Sequence, residues 1–210
     1  MIEFYTWKTP NGRKVAIMLE ELGEPYTLHP VDISNKEQFT PEFLAVSPNN
    51  KIPAIVDIDA PGGPLPIFES GAILTYLAER SSRFLPASGA ERFKTLEWLY
   101  WQVGGLGPML GQLGFFAMMS KDKVPPAIER FTTEVDRLLG VLEGRLAKSP
   151  YLGGESYTIA DMATYPWMAA AMERMQAALG DSLADKPAIH DWLARVGDRP
   201  AVKAGMNIPG

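Results

Sequence analysis

"SPNNKIPAIVD", Ser47 to Asp57, decides how the first half of this chain is read. "IPAIVDI" has the β-branched, apolar run of a buried strand, yet it opens on a proline, which cannot donate to a sheet ladder. Two geometries accommodate Pro53. A trans proline can start an edge strand, and trans is the commoner state of such bonds; a cis Ile52-Pro53 bond would instead make a turn that leaves the Ile52 amide and carbonyl facing solvent, ready to pair with an extended, peptide-like ligand. Both put a strand next.

Working outward, "LPIF" (Leu65 to Phe68) reads as the partner of that strand, with the proline- and glycine-rich "APGGP" between them as the turn of a hairpin. "ESGAILTYLAER" continues as a helix with Ile73, Leu74 and Leu77 inward and Glu69 and Ser70 at its start. Upstream, "IEFYT" alternates as a short strand and "TPNG" turns the chain. Val15, Met18, Leu19 and Leu22 then fall at helical spacing on one face, and Gly23 ends that helix. "YTLHPV" predicts a second strand, and "PEFLAV" a short helix that starts at Pro41 and cannot pass Pro48. The order is βαβ then ββα over residues 1–80.

Residues 81–88 read as a linker carrying the apolar pair Phe84 and Leu85, and every long segment of 89–210 is helical in period. Phe93, Leu96, Tyr100 and Val103 make one apolar face, Val135, Leu138, Leu139, Leu142 and Leu146 another, and "TIADMATYPWMAAAMERM" a third. The second half is expected to be an all-α domain. "GGLGPMLGQLGFF" is rich enough in glycine to kink or interrupt its helix.

Composition narrows the chemistry. With 210 residues, 46% of them apolar, the chain can bury a core or two. A net charge of -5 without blocks of like charge argues against nucleic acid as a partner. No basic leader precedes a long apolar run, and no segment approaches the ~20 apolar residues of a membrane helix, so a cytoplasmic address without membrane contact is the expectation. There is no cysteine, which excludes disulfides, thiolate metal sites and a cysteine nucleophile of the protein's own; any thiol chemistry must be a ligand's. Two histidines, His29 at a strand edge and His190 on a helix surface, give little material for a metal cluster or a Ser-His-Asp triad.

Two further stretches can carry chemistry, and each has a plain reading beside the functional one. Glu69 and Ser70 at a helix start are good capping residues, but the same helix end with the Ser70 hydroxyl could bind a carboxylate while Glu69 pairs with an ammonium, the two charges of an α-amino acid. Thr9 or Asn11 in "TPNG" is a good N-cap, but a sulfur placed there would meet hydroxyl and amide donors and the positive helix end, which favour thiolate over thiol. "TIAD", Thr158 to Asp161, matches a capping box and reads as structural.

In this arrangement the sequence resembles the glutathione transferases over nearly its whole length: an Ile-Pro before the third strand, "ES" opening the third helix, and a helical half containing "TIAD". "TPNGRK", "SPNNKIPAIVD", "FESGAILTYLAE", "WQVGGLGPMLGQ" and "AIERF" are most similar to the bacterial nu class, whose members resemble glutathione-dependent disulfide reductases. The resemblance implies an α+β thioredoxin-like domain (βαβ-ββα) over 1–80 and an all-α domain over 89–210. It implies that Ile52 with a cis Pro53 pairs with the cysteinyl backbone of glutathione, that Glu69 and Ser70 hold the γ-glutamyl end, and that Gln38 and Lys51 take the glycyl end. Arg130 in "AIERF" resembles a family arginine that reaches the site from a second subunit, and homodimers are the family's usual state. Where most classes offer a tyrosine, serine or cysteine near the first strand's end, the matching turn here offers Thr9 and Asn11; Tyr5 on that strand is the alternative. Glutathione would be the cosubstrate, with no metal, and a small disulfide or electrophile its partner. A conventional conjugating transferase and a non-enzymatic binding module are the competing expectations.

Overall fold

Strands this short gain stability only by pairing and by covering their faces. In the computed structural model, which describes residues 1–210 apart from the side chain of Asp181, both conditions are met early in the chain. The elements are β1 (Ile2–Thr6), α1 (Pro10–Leu22), β2 (Tyr26–Pro30), α2 (Pro41–Val46), β3 (Ala54–Asp57), β4 (Leu65–Phe68), α3 (Ser70–Ser81), α4 (Gly89–Trp101), α5 (Gly107–Gly114), α6 (Pro125–Leu146), α7 (Ile159–Arg174), α8 (Gln176–Leu179), α9 (Asp181–Ala184), α10 (Pro187–Gly197) and α11 (Pro200–Gly205). They form two compact units, Met1–Leu85 with Arg199–Gly210, and Pro86–Asp198.

In the first unit the four strands lie in the order β2-β1-β3-β4, β1 parallel to β2 and antiparallel to β3, and β3 antiparallel to β4. This is the thioredoxin-like arrangement. Tyr5, Val31, Phe43, Val46, Ile52 and Ala54 pack together on the face that α2 covers. Alternation along the strands turns Phe4 and Ile55, both fully buried, to the other face, where α1 and α3 pack against each other. Asp57 on β3 accepts hydrogen bonds from Tyr76 (2.7 Å) and Arg80 (3.0 Å), pinning α3 to the sheet.

The helix boundaries follow local chemistry. Thr9 caps α1, its hydroxyl accepting from the Gly12 amide at 3.2 Å; Pro10 occupies the first turn, and Gly23 ends the helix in the left-handed region at φ 68°. Thr40 caps α2 in the same way, and the helix stops at Val46 ahead of Pro48.

In the second unit α4 and α5 are joined by a π-helical segment, Gln102–Leu106, and a second one, Phe115–Met119, follows α5. The glycine-rich stretch therefore widens its helix rather than breaking it. Its glycines also make room: a Cβ on Gly107 would come within 3.2 Å of Trp167 Nε1, and one on Gly111 within 3.4 Å of the same ring. The predicted stripe on α6 is buried, all five residues of it. The predicted stripe on α4 is not: Phe93 is 70% and Tyr100 67% exposed, while Thr95 and Leu99 face inward. Both capping-box bonds of Thr158 and Asp161 are present at the start of α7.

The division of the chain differs from the expected 1–80 and 89–210 at its far end. Residues from Arg199 onward join the first unit, because Arg199 makes a two-pronged pair with Glu21 (2.6 and 2.9 Å) and Gly205 lets α11 press against the backbone of Ile17, where a Cβ would come within 2.6 Å. A helix of six residues is too short for its hydrophobic period to say which core it covers.

Candidate functional site

Three segments distant in sequence meet in a cleft of about 130 Å³ lined by Asn11, Lys51, Ile52, Pro53, Phe68, Glu69 and Ser70. Each is placed by the element it borders. Asn11 lies in the first turn of α1, at the end of the tight passage from β1. Lys51 and Ile52 lead into β3, the Lys51 carbonyl accepting from the buried Ser47 hydroxyl at 2.9 Å. Phe68 closes β4, and Glu69 and Ser70 turn the chain into α3.

The Ile52-Pro53 bond is cis. Among the described residues no backbone group pairs with the Ile52 amide or carbonyl, since ladder pairing of β3 begins at Ala54. A strand-like ligand edge can therefore hydrogen-bond there.

Glu69 departs from the plain capping reading. It occupies the N-cap position of α3 at φ 72°, ψ 115°, and no side chain caps the helix. A non-glycine residue held at positive φ is strained, and such strain collects at functional sites. The start of α3 lines the cleft through Glu69 and Ser70, and a helix end left without a side-chain cap can accept an anion there.

Sequence reasoning missed Lys14. It lies one turn into α1, is 1% exposed, and brings its Nζ to 3.4 Å from Ser70 Oγ. Burial pushes its pKa down to about 7, the Glu69 charge opposing that shift. The only sequence signal is its spacing, three and four residues before the buried Ile17 and Met18, which puts a lysine on the core face.

Of the remaining predicted residues, Thr9 stands beside the cleft, engaged as the cap of α1. Its hydroxyl accepts from Gly12, which leaves the O–H proton able to donate elsewhere. Gln38 sits in a single 3₁₀ turn, Glu37–Phe39, outside the lining, and its Oε1 is buried with no hydrogen-bond partner. Arg130 belongs to the second unit, where it lines a separate cavity of about 620 Å³ with Met109, Glu129, Phe131 and Glu134. Tyr5 stacks on His29 (ring centroids 4.6 Å apart) in the cluster under α2, and burial raises its pKa, keeping the phenol protonated. Among the described residues no group of His, Cys, Asp or Glu is placed to hold a metal ion, and no helix is long and apolar enough to cross a membrane.

Comparison with known proteins agrees with this geometry. Residues 9–80 match the model of the glutathione S-transferase N-terminal domain and residues 106–200 that of the C-terminal domain. The disulfide-bond oxidoreductase YfcG of Escherichia coli is 52% identical over 204 residues, 96% of this chain and 92% of that protein. A glutathione transferase family member from Pseudomonas fluorescens, solved with two glutathione bound, superposes with a TM-score of 0.94 at 47% identity, covering 99% of this chain and 93% of that one. A glutathione transferase from Pseudomonas putida, solved with one glutathione disulfide per subunit, gives 0.95 at 44% identity, covering 100% and 92%. With a thioredoxin-like sheet, a cis Ile-Pro and an uncapped third helix all facing one cleft, and with both halves matched, the chain belongs to the glutathione transferase family.

Proposed function

We propose that this protein is a glutathione-dependent disulfide-bond reductase of the nu-class type, and that the cleft between the start of α1, the Ile52-Pro53 turn and the start of α3 holds glutathione. The observation that carries the proposal is the convergence of three complementary features in one cleft: an open strand-like edge at Ile52, an uncapped helix end with an acidic residue at Glu69 and Ser70, and amide donors at Asn11. Glutathione offers the matching groups, a peptide backbone, an α-amino acid end and a sulfur. The relatives point the same way: one is a disulfide-bond oxidoreductase, and two solved neighbours carry two glutathiones or one glutathione disulfide.

In this reading Ile52 pairs with the cysteinyl backbone, Glu69 and Ser70 hold the γ-glutamyl end, and Gln38 and Lys51 take the glycyl end. The Thr9 hydroxyl and the Asn11 amide donate to the sulfur, which the positive end of α1 holds as thiolate. The thiolate attacks one sulfur of a small disulfide, expelling a thiolate and forming a mixed disulfide. A second glutathione thiolate then attacks the glutathione sulfur of the mixed disulfide, releasing the second thiol and glutathione disulfide. Two electrons pass from two glutathiones to the substrate, and the protein, which has no cysteine, orients the sulfurs without contributing one.

Arg130 is assigned to the same chemistry from a second subunit. The exposed Phe93 and Tyr100 of α4 support a homodimer, since a soluble surface seldom leaves a large apolar stripe uncovered. A reducing, cytoplasmic setting suits a reaction that consumes glutathione.

The test is reduction of 2-hydroxyethyl disulfide by glutathione. Thr9→Ala with Asn11→Ala should lower turnover by about a hundredfold, the scale of losing preorganised donors to a developing charge. Because Thr9 also caps α1, Thr9→Ser, which keeps both cap and hydroxyl, should retain most of the activity. Unchanged turnover in the double variant would remove Thr9 and Asn11 from the mechanism.

A further inference from the structure

Lys14 has no part in the roles assigned above, although its Nζ lies directly behind the first residue of α3. A lysine 1% exposed in a helix core is costly, because an ammonium loses its hydration there, and a methionine would fill much the same space without that cost. Packing of α1 therefore does not call for a charge at this position. Two of its neighbours, Ser70 at 3.4 Å and Glu69, stand at the start of α3, and both line the cleft. α11, the other helix packed on α1, approaches it through Gly205 at Ala16 and Ile17, and its flanking Arg199 is paired with Glu21.

Two effects follow from this placement. A lysine that donates to Ser70 Oγ occupies an acceptor position of that hydroxyl and directs its O–H proton away from α1, toward the cleft. Its positive charge, carried below a pKa of about 7 and held in a low-dielectric core, adds to the dipole of α3 at the same helix end and is little screened by salt. We infer that Lys14 is a positioning residue for the α-carboxylate of the γ-glutamyl end of glutathione, acting through Ser70 and through its charge without touching the ligand. Glu69, on the cleft side, is left to meet the α-ammonium. The inference rests on the reading of the cleft as a glutathione site.

Calorimetric binding of two ligands separates the possibilities: glutathione, and its analogue with 4-aminobutyrate in place of the γ-glutamyl residue, which keeps the ammonium but lacks the carboxylate. Wild-type protein should prefer glutathione, and Lys14→Met should cut that preference by about tenfold, an effect of one charge-assisted contact. Affinity for the analogue should stay near the wild-type value. Lys14→Gln, which keeps a donor to Ser70 without the charge, should fall between the two and serves where Lys14→Met does not fold. A preference for glutathione unchanged in both variants, or an equal loss of both ligands, overturns the role of Lys14 while leaving the cleft as the site. Absence of glutathione binding by the wild-type protein overturns the cleft and, with it, this role.

Discussion

Single residues at the α1 turn do several jobs within a few ångströms. Thr9 caps the helix, Asn11 lines the cleft, and Gly12 between them and the core is the tightest point of the passage. A Cβ at Gly12 would lie 2.3 Å from Thr6 Oγ1 and 2.6 Å from the Trp7 carbonyl, and the second of these is backbone that cannot step aside. Gly12→Ala should therefore cost about 2 kcal/mol or more in urea unfolding and lower disulfide reduction as well, since α1 must shift to admit the methyl. Wild-type stability in that variant would mean the turn is looser than the contact distances imply. The turn's position at a helix start was legible in "TPNG". Its closeness to Thr6 was not, because it depends on how β1 delivers the chain into α1.

At the scale of elements, helix ends were the most readable features and helix faces the least uniform. Thr9, one of the two cap candidates in "TPNG", and the Thr158–Asp161 pair cap the helices they precede, and Thr40 caps α2. Asp161 does more than close a capping box. Fully buried, it accepts from the amides of Thr158 and Leu152 (3.0 Å each) and from Trp192 Nε1 (2.9 Å), joining α7, the loop before it and α10. Asp161→Ala would leave those donors buried without an acceptor, so the loss should reach about 3–5 kcal/mol, measurable by denaturant unfolding; a loss below 1 kcal/mol would show that the loop re-forms its bonds elsewhere. The capping box is written in four consecutive residues, whereas the bonds to Leu152 and Trp192 need the loop and α10 in place. The stripe on α4 makes the converse point. Phe93 and Tyr100 repeat at helical spacing as core residues do, yet they face outward, because periodicity identifies an apolar face without naming what covers it.

For the whole molecule, Lys14 makes stability depend on pH in a definite direction. Its pKa is about 7 in the folded chain against 10.5 for an ordinary lysine, so between those values the unfolded chain holds more protons. The contribution to stability is then full above pH 10.5 and is lost as pH falls toward 7. Lys14→Met should be the more stable protein at pH 6, by a few kcal/mol, and its advantage should shrink as pH is raised from 7 to 10. Parallel urea titrations check this, and an advantage independent of pH would mean that Lys14 keeps an ordinary pKa in the fold. The sequence by itself determined the βαβ-ββα order, the helical second half, the capping of α1 and α7 and the absence of a protein thiol, because turn chemistry, hydrophobic period and composition are local or additive properties. Tertiary structure alone decided the cis state at Pro53, the return of α11 to the first unit, the strained and uncapped start of α3, and the burial of Lys14 behind Ser70. Each of these depends on which distant backbone or side chain arrives beside a residue, and that is fixed only when the sheet and its helices close around a common core.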